Sequence, residues 1–248
     1  MDLGLEGRVA LVTGASQGMG LAIAQALAAE GAKVAISSRS QERIEAAASE
    51  IGVRGYVHDM GDLEGAPALA ESVEKDLGPI DVLVANSGGP PGGDPLEFSH
   101  DQWQDAHREL MLGPMALIQR VLPGMRERGF GRILSISSSA AREPIPGLLL
   151  SSAHRAGMLA TFRSLADALS ADGVTLNTIL PGRIATDRLS HLYGSIAAAE
   201  ELAQDEVPAQ RLGTPEEIAA VAAFLCSAPA AYVTAQAIAV DGGLMKGA

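Results

Sequence analysis

The chain is short of positive charge: 18 Lys and Arg stand against 30 Asp and Glu, a formal net charge of −12 at pH 7. A nucleic acid or an anionic membrane needs a basic face that displaces counterions, so neither is expected as a partner. Any phosphate must be held by a local device. Cysteine is nearly absent. Cys226 alone cannot close an internal disulfide and sits in an apolar helical run, which suits a reducing compartment and a small buried hydrophobe. No apolar stretch approaches the ~18 residues of a membrane span, and Met1 to Glu6 lacks a basic segment followed by an apolar one. A soluble, cytoplasmic protein is expected. His58, His100, His107 and His191 show no metal-ligand spacing with one another or with Cys226, so no metal is expected. Linkers, internal repeats and low-complexity tracts beyond alanine-rich helix faces are missing too. With 248 residues, 47% of them apolar, one sizeable core and a single domain over 1–248 are expected.

What is present is organised around one stretch. Val9-Ala10-Leu11-Val12 leads into Thr13-Gly14-Ala15-Ser16-Gln17-Gly18-Met19-Gly20, and Leu21, Ile23, Ala24, Leu27 and Ala28 lead out at helical spacing. That reads as strand, glycine turn, helix. Gly14, Gly18 and Gly20 remove every Cβ where a diphosphate must come close, and the free N–H groups of the new helix face that anion with the helix dipole behind them. The spacing is Gly-x3-Gly-x-Gly, whereas the commoner dinucleotide fingerprint is Gly-x-Gly-x-x-Gly.

The alternation then repeats. Val34-Ala35-Ile36 is a short strand, Gln41 to Ile51 a helix stopped by Gly52, and Tyr56-Val57 a third strand running to Asp59. Pro67 fits the first turn of the next helix, which Leu77-Gly78-Pro79 closes. Ile80 to Ala85 is an apolar strand of the kind buried on both faces of a parallel sheet. Asn86 to Pro95, with four glycines and three prolines, lies after a strand's carboxyl end and so belongs to a ligand cleft. Ser99 to Gln102 is a capping box for a helix to about Met125, with a kink expected at Gly113-Pro114. Ile133 to Ser137 is a strand, Ser151 to Asp172 a helix, and Val174 to Leu180 a strand ended by Pro181. Thr214 to Glu217 caps a further helix, and Ala237 to Val240 supplies the last strand. The segment 187–207, Ile196 to Glu206 within it, is a candidate substrate lid.

Over essentially its whole length the chain resembles the short-chain dehydrogenase/reductase family. Thr13 to Gly20 is similar to its glycine turn, with Ser16, Gln17 and Met19 between the glycines. Asp59, followed by Met60, resembles the acid that contacts adenine. Asn86-Ser87-Gly88 is similar to the family's Asn-Asn-Ala-Gly segment, with Ala85 replacing the first Asn. Pro181, Gly182, Ile184 and Thr186 resemble the segment over the nicotinamide, and Val240 to Gly243 the C-terminal signature. The resemblance implies a single-domain α/β Rossmann fold, a doubly wound seven-stranded parallel sheet with helices on both faces, a nicotinamide dinucleotide, and a homotetramer or homodimer. Which dinucleotide follows from Ser38-Arg39: no carboxylate stands there to take the 2′-hydroxyl, while Arg39 suits a 2′-phosphate. NADP(H) is therefore expected over NAD(H).

The family's acid–base set is a Tyr, a Lys four residues later, a Ser and a helix Asn. By the resemblance the Ser role falls on Ser138, but the Tyr position on Ser151, the Lys position on Arg155 and the Asn position on Leu110. An aliphatic hydroxyl titrates far too high to act as the phenol does. Arg155 can hold ribose or a developing oxyanion but cannot shuttle protons. His154 shares a helix with Ser151 and Arg155 at turnable spacing and is a candidate acid, as is Tyr193 in the lid. The expectation is an NADP(H)-dependent oxidoreductase of 3-oxoacyl-reductase type, moving hydride between nicotinamide and a carbonyl or alcohol in an atypical site. A nucleotide-binding sensor or scaffold without turnover stands as the alternative, and a lyase or isomerase as a third.

Overall fold

The structure, a computed structural model, describes residues 1–247. Its strands are β1 (Val9–Thr13), β2 (Lys33–Ser38), β3 (Arg54–Val57), β4 (Ile80–Ala85), β5 (Gly131–Ile136), β6 (Val174–Pro181) and β7 (Ala237–Val240). All pair in parallel, in the order β3-β2-β1-β4-β5-β6-β7. The helices are α1 (Gly18–Ala29), α2 (Gln41–Ile51), α3 (Gly65–Leu77), α4 (His100–His107), α5 (Gly113–Glu127), α6 (Leu149–Leu169), α7 (Asp187–Tyr193), α8 (Ile196–Glu206) and α9 (Pro215–Leu225). The expected doubly wound α/β sheet is what forms.

Alternation along the buried strands builds two cores. Ala10, Val12, Val82 and Val84 face α1, α2 and α9, meeting Ile23, Leu27, Ile44 and Ile218. Leu11, Leu83 and Ile133 point the other way, against Leu69, Leu117, Ile118 and Phe162 of α3, α5 and α6. Burying both faces is what obliges these strands to be apolar throughout. A third, small cluster, Leu189, Ala199, Ala203, Val207 and Leu212, holds α7 and α8 together. The chain winds outward from β1 to β3 and returns through β4, so the loops after β1 and β4 part at the carboxyl edge and leave a crevice there.

Two local details differ from the expectation. α6 begins at Leu149 and hands over to a tight 3₁₀ turn, Ser170–Asp172, before Gly173. The expected kink at Gly113-Pro114 takes the form of a π-helical turn over Arg108–Leu112, in which the Gly113 N–H donates to the Arg108 carbonyl five residues back. Pro114 has no N–H to offer, so the irregularity is absorbed one turn earlier. A Cβ on Gly113 would overlap the Met60 carbonyl oxygen, which presses this turn against the loop after β3. Among the described residues no helix is long and apolar enough to cross a membrane.

Candidate active site

The crevice begins at the glycine turn. Gly14 and Gly18 hold φ of +57° and +58°, a region that an L side chain enters only with strain. Gly20 is crowded instead: a Cβ there would stand 2.6 Å from the Gly14 carbonyl oxygen and 2.7 Å from Asn86 Nδ2. Asn86 ties the turn to the end of β4. Its Nδ2 donates to the carbonyls of Thr13 (3.2 Å) and Gly14 (2.9 Å), while Thr13 Oγ1 donates to the Asn86 carbonyl at 2.7 Å. Asn86 is 7% exposed, so water cannot replace these bonds. Asn86→Ala is expected to cost about 2 kcal/mol, read as a lower urea midpoint at unchanged slope.

One end of the crevice is lined by Gly14, Ser16, Gln17, Ser38, Arg39, Asp59, Met60, Ser87 and Gly88, all expected there from the sequence. Ser40, Arg43, His58 and Glu109 join them, not foreseen from the sequence. Arg43 follows Ser40, whose side chain caps α2, and its spacing of four from Arg39 was the available signal. Arg39 Nη1 lies 3.6 Å from Glu109 Oε1. Burial pushes the Glu109 carboxyl above its ordinary range, with Arg39 pulling it back. His58 is buried, its Nε2 has no partner, and burial lowers its pKa, which favours the neutral imidazole.

Through Ser87 this end runs on into a second one, lined by Met19, Asn86, Pro181, Gly182, Ile184 and Thr186 together with Ser138, Ser151 and Arg155. Thr186 also reaches back to the glycine turn, 3.4 Å from where a Gly18 Cβ would be. Ser138 caps the short turn Ser139–Ala141, its Oγ accepting from the Ala140 N–H at 3.1 Å. Ser151 Oγ accepts from Arg155 Nε at 3.1 Å. Each hydroxyl thus has an acceptor site filled by an N–H, and its own proton is left to donate into the cleft. Arg155 is 9% exposed and also donates to the carbonyls of Ile136 (2.8 Å) and Gly88 (3.3 Å). Burial, and then the charge of Arg188, push its pKa down to about 10. It remains a cation at neutral pH.

His154 does not join them. It is absent from the cleft lining; its Nδ1 lies 2.7 Å from the Leu150 carbonyl, and its ring leans on Trp103 and His107 at centroid distances of 5.5 and 5.6 Å. Spacing alone allowed a shared face, but the aromatic side chains of α4 draw the imidazole to the opposite flank of α6. Leu110 is buried, as an apolar side chain on the π turn should be. Tyr193 does line the cleft, contacting Arg183, which in turn pairs with Glu206 of α8. Arg188, Leu189 and Leu192 come with it from the expected lid segment, though not singled out from the sequence, and Arg183 joins them from the loop after β6, between Gly182 and Ile184. Among the described residues no three His, Cys, Asp or Glu side chains gather into a metal site.

These features fit a dinucleotide. The glycine turn is a cradle that a Cβ would fill, and the unpartnered His58 Nε2 at one end and Ser137 Oγ at the other are polar atoms awaiting a partner. Residues 14–245 match the family profile described as enoyl-(acyl carrier protein) reductase. The 3-oxoacyl-(acyl-carrier-protein) reductase of Vibrio cholerae is 36% identical over 98% of this chain and 99% of its own. The L-sorbose reductase of Gluconobacter frateurii, solved with NADPH and L-sorbose, superposes with a TM-score of 0.92 at 32% identity, covering 100% of both chains. An NADPH-bound short chain oxidoreductase of Pseudomonas aeruginosa PAO1, described as containing an atypical catalytic center, superposes with a TM-score of 0.90 at 32% identity over 97% of this chain and 98% of that one. A profile match across nearly all of the sequence, joined by likenesses above 30% identity along its length, means that the chain belongs to the short-chain dehydrogenase/reductase family.

Proposed function

We propose that this protein is an NADP(H)-dependent oxidoreductase that interconverts a carbonyl and an alcohol on a small molecule, in a divergent branch of its family without the usual Tyr and Lys. The observation that carries the reading is the single crevice with Arg39 and Arg43 at one end and the Ser138 and Ser151 hydroxyls at the other, joined through Ser87. The NADPH-bound relatives support the choice of dinucleotide.

Bound NADPH supplies a hydride from C4 of its nicotinamide. The protein does the rest. Gly14, Gly18, Gly20 and the α1 amino end hold the diphosphate, with Ser16, Gln17 and Met19 alongside. Ser38, Arg39, Asp59 and Met60 hold the adenosine end. Asn86, Ser87, Gly88, Pro181, Gly182, Ile184 and Thr186 bracket the nicotinamide half. Ser138 and Ser151 donate hydrogen bonds to the substrate oxygen, and Arg155 both polarises Ser151 and steadies the negative charge that develops there. The product oxygen takes its proton from water. α7 and α8, over 187–207, close on the substrate as a lid.

The first experiment follows NADPH oxidation across a panel of carbonyl compounds, and the reverse with alcohols and NADP+. Turnover is expected, with kcat/KM for the carbonyl substrate at saturating NADPH level between about pH 5 and about pH 9, because no Asp, Glu, His or Cys among the described residues lines the substrate end of the crevice to titrate in that window. Binding of NADPH without turnover of any compound would point to a sensor or scaffold; no binding at all would remove both readings.

A further inference from the structure

The cleft is electrostatically one-sided. In a chain with a net charge of −12, the residues lining the substrate end include Arg155, Arg183 and Arg188 and not one Asp or Glu among the described residues. Arg120, Arg126, Arg128 and Arg211 have carboxylate partners, and within the cleft so does Arg183, through Glu206, while the buried Arg132 is held by the carbonyls of Gly131, Gly173 and Ser227 and lies over the Phe130 ring. Arg155 and Arg188 have no carboxylate partner among the described residues. Both hang on consecutive carbonyls of the loop after β4. Arg155 Nη2 donates to Gly88 at 3.3 Å, and Arg188 donates to Gly89 and Pro90, each at 2.9 Å.

What sets this pair apart is that both cations open on one cleft. Arg155 is buried at the floor and meets only dipoles, and Arg188, at the mouth, adds a like charge to the same space. Three of Arg155's five N–H groups and two of Arg188's are spent on protein oxygens, so both keep donors for a further acceptor. Between them the walls are apolar, with Ile145, Leu148, Leu192 and Leu244.

We propose that the substrate is itself an anion, a keto acid whose carboxylate lies against Arg188 while its carbonyl oxygen faces Ser138, Ser151 and Arg155. The apolar walls take a short hydrocarbon portion. Arg188 also fastens α7 to the loop after β4, so an anion at Arg188 and closure of the lid stabilise one another. This rests on the hydride-transfer reading, and its test separates the two.

Acetoacetate and methyl acetoacetate share a carbonyl and differ by one charge. With NADPH saturating, kcat/KM is expected to favour the acid at least tenfold, and Arg188→Gln to cut that preference about tenfold, with Arg188→Lys restoring part of it. Calorimetry with butanoate, which cannot be reduced, is expected to show binding to the NADP+ complex that Arg188→Gln loses. Equal use of acid and ester together with no heat from butanoate overturns the anion site while leaving hydride transfer standing. Butanoate binding without turnover of either compound keeps the anion site and removes hydride transfer. A loss of NADPH affinity in Arg188→Gln as large as the loss of acid preference assigns Arg188 to the cofactor's phosphates and overturns the proposal.

Discussion

Replacing Arg39 with alanine is expected to weaken NADPH binding about 30-fold and NADH binding less than about threefold. Two partners compete for one guanidinium. Arg39 lies 3.6 Å from Glu109, but its side chain is 68% exposed, and such a pair is worth only ~0.5–1 kcal/mol. A 2′-phosphate brings more charge and several acceptor oxygens to the fork, and charge-assisted bonds of that kind contribute ~2 kcal/mol. The phosphate wins. Glu109 therefore acts as a weak internal competitor, and in the same titration Glu109→Gln is expected to tighten NADPH about threefold with little change for NADH. Fluorescence titration of the reduced nicotinamide reads both ratios. If Arg39→Ala costs NADPH and NADH the same factor, the guanidinium meets adenine or solvent and the preference for NADP(H) lies elsewhere.

The Arg39 end of the crevice was legible in the sequence because it is built locally. A strand, its carboxyl end and the next helix amino end are contiguous in the chain, so Gly14 to Gly20 and Ser38-Arg39 announce their own positions. Asn86 to Gly88 was legible for the same reason, one strand further on. The substrate end is assembled from elements far apart in sequence, and there local reasoning gave out. Helical spacing puts Ser151, His154 and Arg155 within a turn of one another, yet the contacts of Trp103 and His107 decide that the imidazole leaves the group. Arg188 looks like an ordinary charge on a short helix until Gly89 and Pro90, about a hundred residues earlier in the chain, are seen to receive it. Glu109, on the π turn just before Pro114, meets Arg39 from a distant part of the chain, a pairing that no periodicity count contains.

The largest effect is expected from the smallest change. Gly20→Ala adds one methyl group, but that carbon would stand 2.6 Å from the Gly14 carbonyl oxygen, 2.7 Å from Asn86 Nδ2 and 2.9 Å from Ala15 Cα. Two of these three atoms are backbone, and the third is fixed by its own hydrogen bonds to Thr13 and Gly14, so nothing nearby yields cheaply. Relief requires the turn to open, which breaks the Asn86–Gly14 bond and swings the N–H groups of the α1 amino end away from the diphosphate. Overpacking of this kind costs ~1–3 kcal/mol, and the lost hydrogen bond about 1 kcal/mol more. The fold survives such a cost in a typical domain, while NADPH affinity is expected to fall at least about 100-fold, since each misdirected N–H removes a charge-assisted contact. Gly52→Ala is the control. Gly52 also has a positive φ, +71°, but a Cβ there meets nothing within 4 Å, and it ends α2 on the far side of the crevice. Its alanine variant should lose ~1–2 kcal/mol of stability and keep its NADPH affinity. If circular dichroism shows Gly20→Ala folded and calorimetry shows it binding NADPH as the parent does, the turn is not the diphosphate cradle, and the reading of everything placed along the crevice loses its anchor.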